Sequence, residues 1–315
     1  MRILLRPAMI FLPFLFGFFC PQAHALNEAP FHLIQWVLFI MLFLSCLQLE
    51  LTQLKFRKEH FKVAVANLAM GIIPYFLLKF VFPQQPGLAE SAFFAGITPT
   101  ATATPVVLSF LNGRVGFALT GFATTTLVVS VSLIFLLPLI AGDFSLVFIL
   151  RVLNSLFLVI GLPFFCALIL RKWFPSLKKL PSKCKLFSLS LWSCMLFVMA
   201  AIARNHLQMN PDVSRLQIFL IGLISLMICI LNFWIGKRIS RKKYAKESSQ
   251  ILGQKNTNLT LFLALQYAGP LVALGPIFYV MWHNSWNAFQ IYSYDKRKQR
   301  SREIRKKSVL SVQEK

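Results

Sequence analysis

The chain has 315 residues, and its 33 Lys and Arg against 10 Asp and Glu give a net charge of +23. Hydrophobic residues make up 57% of the chain, above the roughly 45–50% of soluble domains, and the mean hydropathy is +0.66. This composition excludes a string of soluble domains and predicts an all-α integral membrane protein with one helical bundle. In a soluble protein such a charge would suggest nucleic acid. Here it fits loops on one side of a bilayer, so we expect no nucleic-acid partner.

The apolar residues fall into blocks of about 20, the length that crosses a hydrocarbon core roughly 30 Å thick. Eight such blocks precede a longer apolar stretch, from about residue 249 to 292, which Ala268-Gly269-Pro270 divides into two. The sequence therefore predicts ten transmembrane helices. The first eight predicted spans are Ile3–Phe19, Phe31–Leu51, Val63–Phe82, Ala92–Leu111, Val115–Ile140, Leu146–Leu170, Leu186–Ala203 and Leu216–Ile235.

The first block admits two interpretations. Arg2 and Arg6 precede an apolar stretch, and Ala23-His24-Ala25 follows it, so the segment is either a first span or a signal peptide with its cleavage site. Cleavage would leave nine spans and change no later orientation. In both cases the chain divides into residues 1–25, a bundle over 26–292 and a basic tail over 293–315.

The fourth block is interrupted at its centre by Thr98-Pro99-Thr100-Ala101-Thr102-Ala103-Thr104-Pro105. Proline removes a backbone donor and clashes with the preceding turn, so a regular helix cannot run through this segment. In hydrocarbon the freed backbone groups cost several kcal/mol each unless protein or a water-filled cavity surrounds them. A proline kink whose threonines bond back to their own helix is the simpler alternative. Two prolines around an alternating Thr run favour a functional break.

A second polar interruption, Gly253-Gln254-Lys255-Asn256-Thr257-Asn258, opens the ninth predicted span. When ten spans are counted as five plus five, the fourth and ninth hold corresponding positions. Paired interruptions in matching halves are typical of secondary transporters built from inverted repeats. We therefore expect two inverted five-helix repeats with crossed broken helices. The alternative is that residues 253–258 form a loop and the ninth span starts at Leu259.

The Lys and Arg residues are distributed unequally across the predicted spans. In the ten-span arrangement 28 of the 33 fall on one side of the membrane, including the tail. The positive-inside rule places this side in the cytoplasm. We expect a multi-pass protein of the bacterial inner (plasma) membrane with a cytoplasmic C-terminus, and a basic tail that faces solvent or lipid headgroups.

Sequence signals of catalysis are missing. The predicted spans contain no pair of carboxylates, and HExxH, GxSxG and a phosphate-binding Gly loop do not occur. The six cysteines show no metal-binding spacing. We expect no enzyme activity, no cofactor, no metal site and no disulfide framework.

From about residue 31 to 292 the chain resembles the bile acid:sodium symporter family. The broken fourth span of that family carries Cys-Pro-Gly-Gly-Thr-x-Ser-Asn where this chain has residues 98–105, and its Arg-Gly-Asp/Asn turn is similar to Asn112-Gly113-Arg114. Its ninth-span Glu-x-Gly-x-Gln-Asn corresponds to residues 251–256. Its tenth span has Pro before Trp-His-Asn, as Pro276 stands before Trp282-His283-Asn284 here. The resemblance implies a membrane transporter of organic anions.

The departures from the family pattern concern its ion ligands. The resemblance implies two sodium ions held by oxygen atoms at the broken spans, but only Thr104, in place of Ser, keeps a side-chain oxygen. A hard cation needs several oxygen ligands, so we expect the usual sodium sites to be absent. The aligned positions that lose a ligand are Ala69, Pro105, Ala118, Phe122, Ile251 and Lys255.

Two ionisable residues have alternative interpretations. Lys255 stands where the family has Gln. It is either a fixed positive charge that replaces a sodium ion and pairs with an anionic substrate, or a lysine at the cytoplasmic end of its span that snorkels to the headgroups. His283 is either a packed neutral side chain or a proton-coupling group.

The sequence thus predicts a secondary transporter of a small organic acid or amphipathic organic anion across the lipid bilayer, coupled to a proton or to no ion. A non-transporting homologue that acts as a membrane sensor or scaffold is the alternative, because loss of ion ligands is expected of both. The predicted substrate-binding residues are Thr98, Thr100, Thr102, Thr104, Gln254, Lys255, Asn256 and His283.

Overall fold

The computed structural model describes residues 12–28, 32–49, 54–210 and 213–313, and within these ranges the chain is helical and forms no β-strand. Residues 12–19 are helical and lead into a 3₁₀ helix, Pro21–Asn27. The predicted cleavage position, Ala23-His24-Ala25, lies in this 3₁₀ helix. Residues 1–11, which carry the start of the predicted first span or signal peptide, lie outside the described residues.

The first half of the bundle contains one broken and several continuous helices. The helices are α1 (Leu33–Cys46), α2 (Lys58–Val81), α3 (Pro86–Ile97), α4 (Thr104–Phe110), α5 (Val115–Ala141), α6 (Leu146–Leu156) and α7 (Leu162–Trp173). A π-helical turn, Phe157–Gly161, joins α6 to α7, so that they run as a single helix of 28 residues.

The second half also contains one broken helix and several continuous helices. It is reached through a 3₁₀ helix, Pro175–Lys179, and a further 3₁₀ helix, Lys242–Tyr244, precedes its broken helix. Its helices are α8 (Leu180–Lys183), α9 (Lys185–Met209), α10 (Arg215–Ile239), α11 (Ala245–Gly253), α12 (Thr257–Tyr267) and α13 (Pro270–Gln313).

Four of these helices are long and apolar enough to cross a membrane by length and composition: α2, α5, the joined α6–α7 helix and α10. They correspond to the third, fifth, sixth and eighth predicted spans. The predicted boundary at Ala268-Gly269-Pro270 is confirmed, because Gly269 adopts φ +95° and α13 begins at Pro270. Helix α13 then continues through the basic residues of the predicted tail to Gln313.

The outer surface of the bundle is apolar. Phe80, Trp173 and Phe135 are 85%, 74% and 70% exposed, and many other large apolar side chains also point outwards. An apolar surface of this size is unfavourable in water, whereas lipid tails solvate it well. The protein is therefore an integral membrane protein.

The interior is built around α3. Nine of its 12 residues are buried, and Phe93 and Phe94 belong to the main hydrophobic core together with residues of α1, α5 and α13. A helix that has apolar residues on nearly every face has to be enclosed by others. Helix α11 is enclosed too, although it is polar, with seven buried residues among its nine.

The two breaks occupy corresponding places in the order of elements. In the first half a long helix (α2) precedes the broken pair α3–α4, and another long helix (α5) follows it. In the second half α10 precedes the broken pair α11–α12, and α13 follows it. The non-helical connections are residues 98–103 and 254–256. Both the kink and the loop alternatives are therefore wrong.

One boundary differs from the sequence prediction. The second interruption was expected to open the ninth span, but the nine-residue helix α11 precedes it. Glu247, Ser248, Ser249 and Gln250 make α11 too polar to be recognised as part of a span. They are buried against protein and not against lipid, which hydropathy alone cannot distinguish.

Candidate functional site

The two non-helical segments cross in the interior and bond to each other. The Ala101 N–H donates to the Gln254 carbonyl at 2.8 Å, and the Asn256 N–H donates to the Pro99 carbonyl at 2.8 Å. Thr100 and Lys255 are thereby paired in an isolated antiparallel bridge. Each break thus satisfies backbone groups of the other, as buried non-helical backbone requires.

The prolines set the limits of the first break. Pro99 has no N–H to continue α3, and Pro105 occupies the first turn of α4, where a missing donor costs nothing. The Thr98 hydroxyl donates back to the Phe94 carbonyl at 2.7 Å and lies 2.7 Å from the hydroxyl of Thr260 on α12. Thr98 therefore ends α3 and ties it to the second broken helix.

Thr100 is held by two further helices. Its N–H donates to the hydroxyl of Thr125 on α5 at 3.2 Å, and the two hydroxyls are 2.8 Å apart. Its own hydroxyl donates to the Ile251 carbonyl near the end of α11 at 2.7 Å. Helices α5 and α11 therefore meet at Thr100 and support the first break.

Lys255 extends into the centre of this crossing and not towards the headgroups. Its side chain is 1% exposed. Its Nζ donates to the Gly96 carbonyl at 2.9 Å and to Oδ1 of Asn67 on α2. The snorkelling interpretation is therefore wrong. Lys255 joins the second break to the last turn of α3 and to α2.

A close approach of α2 and α3 makes this arrangement possible. A Cβ on Gly96 would collide with the Met70 carbonyl oxygen, and one on Gly71 would lie 2.7 Å from the Ile97 Cβ. The contact brings the Asn67 amide to within 3.2 Å of the Ile97 carbonyl, to which it donates. Asn67 thus accepts from Lys255 and donates to the C-terminal turn of α3.

Several buried polar atoms of the broken helices and of α13 have no hydrogen-bond partner among the described residues. The five side chains named below that carry them are no more than 4% exposed. Helix α13 is connected to α11 by a bond from Gln250 Nε2 to Gln290 Oε1 at 2.6 Å. Buried polar atoms of this kind call for water or a ligand. Those with no hydrogen-bond partner among the described residues include Thr104 Oγ1, Gln250 Oε1, Gln254 Oε1, His283 Nδ1 and both amide atoms of Asn287.

His283 lies beside the second break. Its ring is 5.6 Å from that of Tyr279, whose hydroxyl donates to the Gly253 carbonyl at 2.8 Å. Asn232 on α10 donates to the same hydroxyl at 3.0 Å. Tyr279 therefore anchors the end of α11, and His283 occupies the next turn of α13.

The other two predicted site residues are less enclosed or act through their backbone. Thr102 is half-buried beside the exposed Ala103, at the outer edge of the first break. Asn256 is 9% exposed and precedes α12 without a side-chain capping bond. Its side chain thus leaves the first turn of α12 uncapped, while its backbone carbonyl accepts from the Leu259 N–H at 3.1 Å.

Four of the positions at which the resemblance implies sodium ligands carry side chains that cannot coordinate a cation. Ala118, Phe122 and Ile251 are buried apolar residues, and Pro105 has no side-chain oxygen. Within the described residues no group of three or more His, Cys, Asp or Glu could hold a metal ion. The oxygen atoms of Gly96 and Asn67 are instead occupied by Lys255 Nζ.

Sequence reasoning missed several residues of this site. Asn67 is a single polar residue within the third predicted span, which by itself does not indicate a site. Thr125 belongs to a run of three threonines, Thr124 to Thr126, that is the signal by which it could have been found. Thr260 carries no distinguishing pattern, and only the fold brings it to Thr98 at the first break.

Comparison of the chain with models of known protein families gives a match. The family model of the Sodium Bile acid symporter family matches residues 35–210, more than half of the chain. The chain belongs to the sodium bile acid symporter family, as its motifs predicted. The matched region contains the first break and ends before α10, so the second break lies outside it. No curated protein matches the chain.

Proposed function

We propose that this protein is a secondary transporter of a small organic acid or amphipathic organic anion that operates without the sodium sites of its family. The observation that carries the proposal is the position of Lys255 Nζ, which donates to the Gly96 carbonyl and to Asn67 at the crossing of the broken helices. A basic group of the chain occupies the place between these oxygens that a bound cation would need.

The positive charge of Lys255 suits this position electrostatically. Gly96 belongs to the last turn of α3, where the helix dipole is equivalent to about −0.5 of an elementary charge. An isolated charge in a bilayer is costly, but here the Gly96 carbonyl and the Asn67 amide oxygen accept hydrogen bonds from it. In this proposal the tethered charge holds the two broken helices together permanently, whereas a coupling ion would do so only when bound.

The polar atoms that lack partners supply the substrate site. The first turn of α12 offers N–H groups and partial positive charge to a carboxylate. From the two breaks, Thr104 adds a hydroxyl that can donate and Gln254 an amide oxygen that can accept from a substrate donor, and His283 lies beside the second break on α13. A carboxylate paired with Lys255 would bind between these groups, and this arrangement selects an organic anion over a neutral solute.

The remaining features of the proposal concern architecture. The recurrence of long helix, broken pair and long helix supports two inverted five-helix repeats, in which alternating access moves one group of helices against the other around a fixed site. The distribution of Lys and Arg supports a cytoplasmic C-terminus in a bacterial inner membrane.

A counterflow assay in proteoliposomes tests the proposal. Labelled organic acids are offered to vesicles that are loaded with the unlabelled acid, in sodium buffer and in choline buffer. We expect saturable uptake that changes less than about twofold when sodium is removed. Steep sodium dependence would contradict the proposed loss of the sodium sites. The absence of saturable uptake by folded protein would favour the sensor or scaffold alternative.

Two substitutions separate the role of Lys255 from a general charge effect. Lys255→Gln removes the buried charge, and Lys79→Gln removes an exposed one from α2. We expect Lys255→Gln to lower uptake at least about tenfold and to lower the thermal unfolding midpoint, because a buried acceptor that loses its donor costs about 1–3 kcal/mol. Lys79→Gln should change neither quantity. Unaltered uptake and unfolding in Lys255→Gln would rule out the tethered charge.

A further inference from the structure

A cavity outside the crossing combines cationic and aromatic side chains. Its volume is about 430 Å³, and four of its seven lining residues are cationic while one is acidic. The acid, Glu59, is 12% exposed and lies 3.8 Å from Arg241, so it offsets only one of the cations. The lining residues are Phe56, Arg57, Lys58, Glu59, Arg241, Lys243 and Tyr244.

Tyr244 forms the buried aromatic floor of this cavity. Its ring stacks on Phe117 at 4.6 Å with an interplanar angle of 10°, and its side chain is 6% exposed. Three cationic groups surround the ring: Arg57 and Arg114 at 5.3 and 5.0 Å from its centre, and Lys243 at 5.6 Å. Cation–π attraction holds each group near the ring, so that their positive charges converge on one face of the cavity.

The cavity lies at the depth of the lipid headgroups. It is formed where α2 begins at Lys58 and where the chain leaves α10 at Ile239, and Arg114 immediately precedes α5. Ends of membrane-crossing helices mark the boundary between hydrocarbon and headgroups. Phe56, 59% exposed beside the cationic residues, presents an apolar surface of the kind that an acyl chain covers.

We propose that this cavity binds a phosphate group, supplied by the headgroup of an anionic phospholipid. Arginine matches phosphate oxygens with paired donors and lysine adds a point charge, and here both types converge over one aromatic floor. The site is separate from the substrate site, and the proposal does not depend on what the protein transports.

The surrounding contacts connect this cavity to the broken helices. Arg114 donates from its backbone N–H to Glu247 of α11 at 3.0 Å and from its side chain to the Lys243 carbonyl at 3.1 Å. Lys246 of α11 donates to the Leu111 carbonyl after α4 at 2.9 Å. A phosphate group held by Arg57 and Lys243 would therefore bridge α2 to the start of α11, and its binding should stabilise the fold.

The test measures the thermal unfolding midpoint of the full chain in detergent during titration with short-chain phosphatidylglycerol, with phosphatidylcholine and with inorganic phosphate. We expect phosphatidylglycerol to raise the midpoint and phosphatidylcholine to leave it unchanged. In Arg57→Gln/Lys243→Gln the apparent affinity for phosphatidylglycerol should fall about 10- to 30-fold, since each cation contributes on the order of 1 kcal/mol.

The matched control is Lys62→Gln/Lys172→Gln, which removes the same charge from exposed residues at the ends of α2 and α7, and it should bind as the unmodified protein does. A phosphate site is supported also when inorganic phosphate alone gives the full shift, and the source is then a soluble anion. Equal affinity of the two double variants for phosphatidylglycerol, or no shift with any anion, overturns the proposal.

Discussion

The side chain of Asn67 shows how one residue can serve both partners of a buried contact. Its Oδ1 accepts from Lys255, and its Nδ2 donates to the Ile97 carbonyl at 3.2 Å. An amide is suited to this because it carries an acceptor and donors together. Asn67 therefore provides a hydrogen-bond partner both for Lys255 Nζ and for the Ile97 carbonyl at the end of α3. Without it, a basic group and a carbonyl would each lose a partner in the interior.

Replacing Asn67 by Ala should therefore be costly. Two buried groups would be left unsatisfied, at about 1–3 kcal/mol each, and we expect the free energy of unfolding to fall by roughly 2–4 kcal/mol. Asn154→Ala, at an exposed position of α6, is the matched control and should lie within about 0.5 kcal/mol of the unmodified protein. Denaturant unfolding of the detergent-solubilised protein measures both. A similar small change in the two variants would mean that the Asn67 contacts contribute no stability.

At the scale of elements, the sequence predicted that both breaks exist, but it did not predict the residue at which the second broken helix begins. The first break was predictable because Pro99 and Pro105 forbid a continuous helix. The second lacks proline, and its first half, α11, carries Glu247 and Ser248 on a helix that protein encloses. Hydropathy measures suitability for lipid, so it fails where polar residues are buried against other helices. Hydropathy also does not indicate that Asn67 and Thr125 contact the breaks, because residues far apart in sequence are brought together only by the packing of helices.

The packing of α2 against α3 gives an element-scale prediction. An Ala at Gly96 would place its Cβ onto the backbone oxygen of Met70, which cannot rotate away as a side chain can. The two helices must separate, and the Gly96 carbonyl would move away from Lys255. We expect a loss of about 1–3 kcal/mol in stability together with reduced uptake.

Gly116→Ala provides the comparison for that variant. Gly116 lies in the first turn of α5 with nothing within 4 Å of an added Cβ, so Ala should be neutral or stabilise the helix by up to about 1 kcal/mol. Thermal unfolding of the two variants in the same detergent makes the comparison. If Gly96→Ala unfolded at the same temperature as Gly116→Ala, the close approach of α2 and α3 would not be needed for stability.

At the scale of the whole molecule, the two halves of the chain are joined at the crossing of the breaks. The family match ends at residue 210, yet the second half contains a broken helix that crosses the first and bonds to it. The two crossed breaks satisfy each other's backbone groups. At the positions where the resemblance to the family implies oxygen ligands for sodium, the chain has apolar side chains and one lysine.

The position of Lys255 predicts how the thermal stability of the protein depends on the cation in the buffer. A ligand that binds only the native state stabilises it by RT ln(1 + [L]/Kd), or about 2.7 kcal/mol at a hundred times Kd, so a protein with intact sodium sites unfolds at higher temperature in sodium than in choline or potassium. Here Lys255 already bonds to the Gly96 and Asn67 oxygens, and a sodium ion would have to displace it. We expect the unfolding midpoint of the purified protein to agree within about 1 °C in sodium, potassium and choline chloride at equal ionic strength. A midpoint several degrees higher in sodium alone would show that a sodium site persists, and the tethered-charge mechanism would then be wrong.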